Sequence, residues 1–236
     1  MGLSLELENL TAGELVSWAI ETYASEFAIA TSFQKEGMVI VDLACRSGPG
    51  KCRVFTLDTG RLPDETHRMM ETVRERYGIS VEVVTPIQED VEAMVSAHGL
   101  ELFYRSRDLR ALCCEVRKVR PLQRKLREFK AWASGLRREQ SQTRAAVRKA
   151  EEVDGRIRIS PLADWNAEQV DRYIQDHGVP VHPLYLRGYT SIGCAPCTRA
   201  VEAGEDERAG RWWWEEETRK ECGIHFAANG TVERDA

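Results

Sequence analysis

The sequence predicts an α/β fold, a mainly parallel sheet with helices on both faces, and three observations carry that prediction. Short apolar runs of strand length alternate with longer runs of helical period. Glycine, proline and capping residues punctuate the joints between them. Strands that alternate with helices at this spacing need right-handed crossovers, and those make neighbouring strands parallel.

Taken in order, Thr11 to Glu14 reads as a capping box, and Leu15, Trp18, Ala19 and Tyr23 then recur at helical spacing, so the chain opens with an amphipathic helix. A strand follows from Phe27 to Thr31. Ser32-Phe33-Gln34-Lys35-Glu36-Gly37 is a polar turn leading into a helix from Met38 to Ala44. A second strand, Arg53 to Leu57, ends in Asp58-Thr59-Gly60. The next helix has Pro63 near its start and Gly78 at its end, and Ser80 to Val84 is a third strand. Val91 to Phe129 is helical and broken near Pro121. Ala131 to Ser134 is a fourth strand, followed by the loop Leu136-Arg137-Arg138-Glu139-Gln140-Ser141. Ile157 to Ile159 adds a strand, and Asn166 caps a helix through Tyr173 that stops at Gly178. Beyond Pro180 the chain is punctuated by glycine and proline around Cys194-Ala-Pro-Cys197, then turns aromatic and acidic.

A chain of 236 residues with 42% hydrophobic content can bury one sizeable core. The expected division is a nucleotide- and cofactor-binding domain over 1–204 and a C-terminal tail over 205–236. No apolar run approaches the roughly 18 residues of a membrane span, and the acidic N-terminus lacks a signal peptide's basic start, so a cytoplasmic location is expected. The net charge of −5 argues against general nucleic-acid affinity. The charge is uneven, however: residues 105–149 hold fifteen Lys/Arg against four Asp/Glu, a balance of +11. Such a block suits a small anionic ligand or a negatively charged cofactor, the alternative being a set of solvated helix faces. Seven cysteines, with Cys113-Cys114 and Cys194-x-x-Cys197 grouped, suit metal binding or redox work better than a secreted disulfide framework.

Ligands of a parallel sheet sit beyond the carboxyl ends of its strands. That rule selects three turns. Ser32, Phe33, Gln34 and Lys35 precede a helix whose free N–H groups and dipole favour an anion. Leu57, Asp58, Thr59 and Gly60 end the second strand, and Asp58 can hold a ribose hydroxyl or cap the next helix. Arg137 and Arg138 end the fourth. Cys113, Cys114, Cys194 and Cys197 supply four thiolates, the ligand count of a cubane iron-sulfur cluster or a structural zinc. Adjacent helical cysteines point about 100° apart, an awkward pair for one tetrahedral ion and an easier one for a cluster that spreads its ligands over separate irons. Lys118, one turn beyond Cys114, can sit between such a group and an anionic substrate. Arg208 and Arg211 stand beside Trp212-Trp213-Trp214, where guanidinium groups can clasp phosphate or sulfate. Cys222, preceded by Arg219 and Lys220 and followed by His225, can keep its thiolate accessible as a nucleophile.

These motifs together resemble the assimilatory sulfonucleotide reductases, most closely the iron-sulfur adenylyl-sulfate (APS) reductases. The resemblance covers nearly the whole chain through Ser32-Phe33-Gln34-Lys35-Glu36, Leu57-Asp58-Thr59-Gly60, the paired and CxxC cysteines, Leu136-Arg137-Arg138-x-Gln140-Ser141 and Glu221-Cys222-Gly223-Ile224-His225. It implies an adenine nucleotide alpha-hydrolase-like, Rossmann-like fold with a mobile C-terminal tail, one [4Fe-4S] cluster on the four cysteines, and attack of Cys222 on the sulfate sulfur of adenosine 5′-phosphosulfate. It further implies release of AMP, an S-sulfonate intermediate, resolution by thioredoxin or a similar dithiol protein to give sulfite for cysteine biosynthesis, and commonly a homo-oligomer. Relatives acting on the 3′-phosphorylated nucleotide (PAPS) usually lack the four cysteines, while some cluster-bearing members accept both nucleotides. Two other readings are an ATP-using sulfurtransferase and a zinc or redox-sensing module. The first usually carries Ser-Gly-Gly-x-Asp-Ser where this chain has Ser-Phe-Gln-Lys-Glu-Gly.

Overall fold

The computed structural model describes residues 6–48, 50 and 53–215, and its chain falls into two compact units. One comprises the described residues up to Thr56, with Glu65–Glu82 and Glu128–His182; the other comprises Leu57–Asp64, Val83–Arg127 and the described residues from Pro183 onward. Among the described residues no helix is long and apolar enough to cross a membrane.

Six strands form one sheet: β1 (Phe27–Ala30), β2 (Arg53–Leu57), β3 (Val81–Val84), β4 (Ala131–Ala133), β5 (Ala150–Val153) and β6 (Arg156–Ile159), in the order β3-β2-β1-β4-β6-β5. β1 runs parallel to β2 and β4, with Ile29 opposite Val54 and Ala133, and β4 runs parallel to β6. β5 is antiparallel to β6 and joined to it through Asp154 and Gly155, both at positive φ in an Asp-Gly hairpin turn. Chain order reverses between β1 and β4, which opens a crevice at their carboxyl ends. Phe27, Ala28 and Ile29 are successive and fully buried, so β1 is covered on both faces, as the core of a parallel sheet must be.

In the first unit the helices are α1 (Ala12–Tyr23), α2 (Lys35–Ser47), α3 (Asp64–Tyr77) and α7 (Ala167–His177). The Thr11/Glu14 capping box is present, and Leu15, Val16 and Ala19 of α1 join Met38 to Val41 of α2 in the core. Asp42 of α2 is buried and accepts hydrogen bonds from Tyr77 (3.0 Å), Tyr173 (2.8 Å) and Arg46 (2.6 Å), fastening α2 to α3 and α7. Asn166 caps α7, and Gly178 closes it in the left-handed region, as the sequence predicts.

The second unit holds α4 (Gln88–His98), α5 (Arg107–Cys114) and α6 (Arg120–Leu126). Two expectations are corrected. The helical stretch from Val91 to Phe129 is three helices, interrupted between Gly99 and Ser106, with Ser106 capping α5. Pro121 does not break it; instead Glu115–Val119 forms a π-helical turn just upstream. Pro121 has no N–H to offer the carbonyl of Arg117, and the wider turn absorbs the loss. Likewise α2 begins at Lys35 rather than Met38, so part of the expected polar turn is already helix.

Candidate active site

In the first unit the site is built at the carboxyl ends of β1 and β4. Thr31 Oγ1 accepts the backbone N–H of Phe33 at 3.0 Å, and Phe33, fully buried, takes a left-handed φ of 58°. That bend places Gln34 as the N-cap of α2 with no side-chain cap, its amide instead bonding Ser32 Oγ at 3.0 Å. Gly37 lets the first turn of α2 lie against β1: a Cβ there would stand 2.5 Å from Thr31 Oγ1. Gly135 brings the end of β4 equally close, since its Cβ would meet that of Glu36 at 2.8 Å.

Glu36 is the hub of this corner. It accepts from Arg137 Nε at 2.8 Å and from Gln140 Nε2 at 3.0 Å, and Gln140 Oε1 in turn takes Arg137 N–H and an Arg144 N–H. Arg137 is 3% exposed, so this paired charge is held rigidly beneath the crevice. Arg138 points to Glu8 (2.9 Å) and the Val147 carbonyl (2.8 Å), and Lys35 pairs with Asp171 at 2.6 Å. Glu36 stands in the Ser32-Phe33-Gln34-Lys35-Glu36 motif without an assigned role, and Arg144, Ser134 and Ser160 were not singled out from sequence. Both serines follow a parallel strand directly, are buried at the hydroxyl, and have no hydrogen-bond partner in the structure. The strand-end rule would have found them had it been applied to every strand.

In the second unit the chain after Leu57 turns at Asp58, whose carboxylate accepts Gly60 N–H at 2.9 Å while Gly60 takes φ 68°. Thr59 Oγ1 lies 3.2 Å from Cys194 Sγ and its carbonyl accepts Arg117 Nη1 at 2.7 Å. Cys113 and Cys114 close α5, while Cys194 caps and Cys197 ends the 3-10 turn Ala195–Cys197. All four are buried, and they line one pocket with Lys118 and Arg117. Phe103 and Arg61 complete its wall, the guanidinium lying 5.0 Å over the ring.

The electrostatics of Cys113, Cys194 and Cys197 differ. Burial pushes Cys113 up, against the pull of Arg117, and pushes Cys197 up to about 12, with Cys194 adding to the rise. Cys194 goes the other way: burial opposes ionisation, but the charge of Lys118, the Thr59 hydroxyl and Arg211 together outweigh it and lower its value. The pocket therefore favours negative charge at Cys194, with Lys118 the strongest cationic influence on it. Among the described residues no group of three or more His, Cys, Asp or Glu side chains is drawn close enough to hold a metal ion.

Arg211 is buried with its guanidinium 4.7 Å over the Trp212 ring, and Arg208 is half-buried with its N–H on Asp206. The structure thus gathers Ser32, Phe33, Gln34, Lys35, Arg137 and Arg138 in one unit. Leu57, Asp58, Thr59, Gly60, Lys118, Arg208, Arg211 and the four cysteines belong to the other. Cys222 and His225 lie outside the described residues.

Residues 26–200 match the phosphoadenosine phosphosulfate reductase domain family. The chain is 45% identical over 242 residues to a protein of Allochromatium vinosum named adenosine 5′-phosphosulfate reductase, covering 98% of this chain and 94% of the relative. A Burkholderia cepacia protein of the same name is 48% identical over 199 residues, covering 84% and 79%. Among solved structures, phosphoadenylyl-sulfate reductase from Candida auris in its phosphate complex superposes with TM-score 0.70 at 29% identity, covering 84% of this chain and 94% of that one. FMN adenylyltransferase of Candida glabrata shares the fold at TM-score 0.57 and 14% identity, covering 98% and 77%.

Proposed function

The chain belongs to the phosphoadenosine phosphosulfate reductase domain family, and on that premise we propose that it reduces adenosine 5′-phosphosulfate to sulfite and AMP in sulfate assimilation, with a dithiol protein such as thioredoxin as reductant. The observation that carries the reading is the pocket that joins Cys113, Cys114, Cys194 and Cys197 to Lys118. Relatives named for APS, at 41–48% identity over most of the chain, favour that nucleotide over PAPS.

The four cysteines fit an iron-sulfur cluster better than a single ion. A zinc needs its donors converged on one point at about 2.3 Å. These four instead surround a pocket without forming a single-ion group, and they carry buried cations that suit an anionic, thiolate-ligated cluster. When bound, a [4Fe-4S] cluster would supply a fixed negative charge that holds Lys118 in place. The two electrons come from the thiols.

The chemistry falls to the chain's own residues. The crevice turn at Ser32 to Lys35 and the Glu36-Arg137-Gln140 corner hold the nucleotide. Cys222 thiolate attacks the sulfate sulfur; the S–O bond to AMP breaks and its electron pair leaves on the phosphate. The product is a Cys222 S-sulfonate. Lys118, Arg208 and Arg211 offset the charge of an anion attacking an anion, and His225, three residues after Cys222 in the sequence, favours the thiolate. A donor thiolate then attacks Cys222 Sγ, sulfite leaves with the bonding pair, and the second donor thiol resolves the mixed disulfide, so one dithiol is oxidised per sulfate reduced.

The test is anaerobic purification, incubation with APS without reductant, and intact-mass analysis. One added SO3 group on Cys222, absent from Cys222→Ser, is expected. Normal sulfite formation by Cys222→Ser, or ATP consumption with no sulfite, would sink the reading.

A further inference from the structure

We propose that Glu8 is a positioning residue for the nucleotide corner, clasping the neck of the loop that carries Gln140 and Arg144 between β4 and β5. The inference rests on the reading that the Glu36-Arg137-Gln140 corner holds the nucleotide.

The chain leaves β4 towards Arg137 and Arg138, passes through two 3-10 turns, Arg138–Gln140 and Gln142–Arg144, and returns at Lys149 into β5. Glu8 meets both sides of that neck, one with each carboxylate oxygen. Oε2 accepts from Arg138 Nη2 at 2.9 Å on the outgoing side, and Oε1 accepts the backbone N–H of Lys149 at 2.6 Å on the returning side. The acid stands on a fixed base: Leu7 is buried in the core with Leu15 and Val16 of α1, and Thr11 caps that helix. The Leu10 carbonyl accepts from Lys149 Nζ at 2.7 Å, so the segment before α1 takes hold of Lys149 twice, and Asp164 meets the same ammonium at 2.7 Å.

Other bonds also hold this loop. Arg138 Nε reaches the Val147 carbonyl at 2.8 Å, the Arg138 N–H donates to the Ala163 carbonyl, and the Ser160 N–H donates to the Lys149 carbonyl. Of these, the first spans the neck. The two grips of Glu8 differ in strength. Its pair with Arg138 is partly in water, the side chains being 27% and 35% exposed, so that charge pair adds little. Lys149, by contrast, is 4% exposed. A buried N–H left without an acceptor costs more than a surface ion pair supplies, and the nearest remedy is for the neck to part and admit water. A parted neck moves Gln140, whose side chain bonds Glu36 and the Arg137 N–H. The corner is then closed for less of the time, and the apparent dissociation constant of a nucleotide rises by the inverse of the closed fraction.

The experiment uses the anaerobically purified full-length protein with AMP as the binding probe. Glu8→Ala is expected to weaken AMP binding more than about fivefold, as an orphaned buried N–H implies, while sulfite formation at saturating APS stays within about twofold of wild type. Tryptic cleavage after Arg144 and Arg148 is expected to quicken in the same variant and to return to the wild-type rate under saturating AMP. Glu8→Gln keeps an acceptor for Lys149 but loses the charge facing Arg138, so it shows both effects at smaller size. Glu6→Ala, which removes an exposed carboxylate from the same segment, is the control and matches wild type. AMP affinity of Glu8→Ala within about fivefold of wild type overturns the proposal, as does an equal loss in Glu6→Ala, or a saturated rate that falls in parallel with affinity. If Glu8→Ala does not fold, Glu8→Gln decides, and cleavage after Arg144 and Arg148 no faster than in wild type overturns the proposal. A wild-type protein that does not bind AMP instead overturns the nucleotide reading of the corner and this proposal with it, an outcome distinct from an AMP-binding wild type matched by its variants.

Discussion

The hydroxyl of Thr59 lies 3.2 Å from the sulfur of Cys194. One residue of a strand-end turn thereby meets both cysteine pairs, touching Cys194 directly and the π-helical turn after Cys113 and Cys114 through Arg117. Thr59→Val keeps the volume and removes the hydroxyl. The expected result is iron lost to a chelator roughly tenfold faster than from wild type, as for other residues that orient metal ligands. The decay of visible absorbance reads it, and unchanged iron retention would show the contact to be incidental.

Gly37→Ala tests the crevice corner. The added methyl would stand 2.5 Å from Thr31 Oγ1, inside any tolerable contact, so the first turn of α2 must shift. A loss of about 1–3 kcal/mol in stability is expected, together with weaker AMP binding. Gly78→Ala is the control: its Cβ meets nothing within 4 Å, so only its φ of 66° opposes the change and AMP affinity stays unaltered.

Asp42 makes a purely structural prediction. Removing its carboxylate leaves the Tyr77 and Tyr173 hydroxyls without their acceptor. Asp42→Ala should cost about 2–4 kcal/mol in denaturant unfolding, while activity per folded molecule is retained. A neutral effect on stability would refute the account of how α2, α3 and α7 are joined.

Cys45 should be inert. Burial first, and the charge of Asp42 second, push its thiol up to about 11 from an ordinary 9.0. The thiolate is the reactive form, so iodoacetamide near pH 8 should modify Cys45 about a hundredfold more slowly in the folded than in the unfolded chain. Because the folded value is raised, the stability that the neutral thiol contributes is fully present below pH 9 and is lost as pH rises towards 11. Peptide mapping after timed alkylation checks the first claim, and unfolding at pH 8 and 10.5 checks the second.

Much of this was legible in the residues because it follows from local chemistry. The Thr11 capping box, β2 from Arg53 to Leu57, and the Asn166 to Gly178 helix each declare their ends with a side chain or a glycine. The strand at Ala150–Val153 was missed although Asp154-Gly155 is a hairpin signal, because Glu151 and Glu152 interrupt the apolar alternation on an edge strand. Pro121 misled for a different reason. Its cost is real, but it is met upstream by a wider turn that no residue pattern announces. The site shows the same split. The cysteines and Lys118 are conspicuous by type and spacing, and Ser134 and Ser160 follow from the strand-end rule once every strand is considered, whereas the pairing of Glu36 with Arg137 and the place of Arg144 become visible only in the fold.

The π-helical turn at Glu115–Val119 carries a consequence for heredity and for engineering. It amounts to one residue inserted into an otherwise ordinary helix, and it governs the angle at which everything beyond Cys114 faces its surroundings. Rewinding the same residues as an ordinary α-helix would improve the rod's regularity, yet it would rotate Lys118 by tens of degrees relative to the cysteines. A smoother helix would be the easier one to build and the wrong one to inherit. This stretch should therefore tolerate exchanges that keep the wide turn far more readily than exchanges that rewind it.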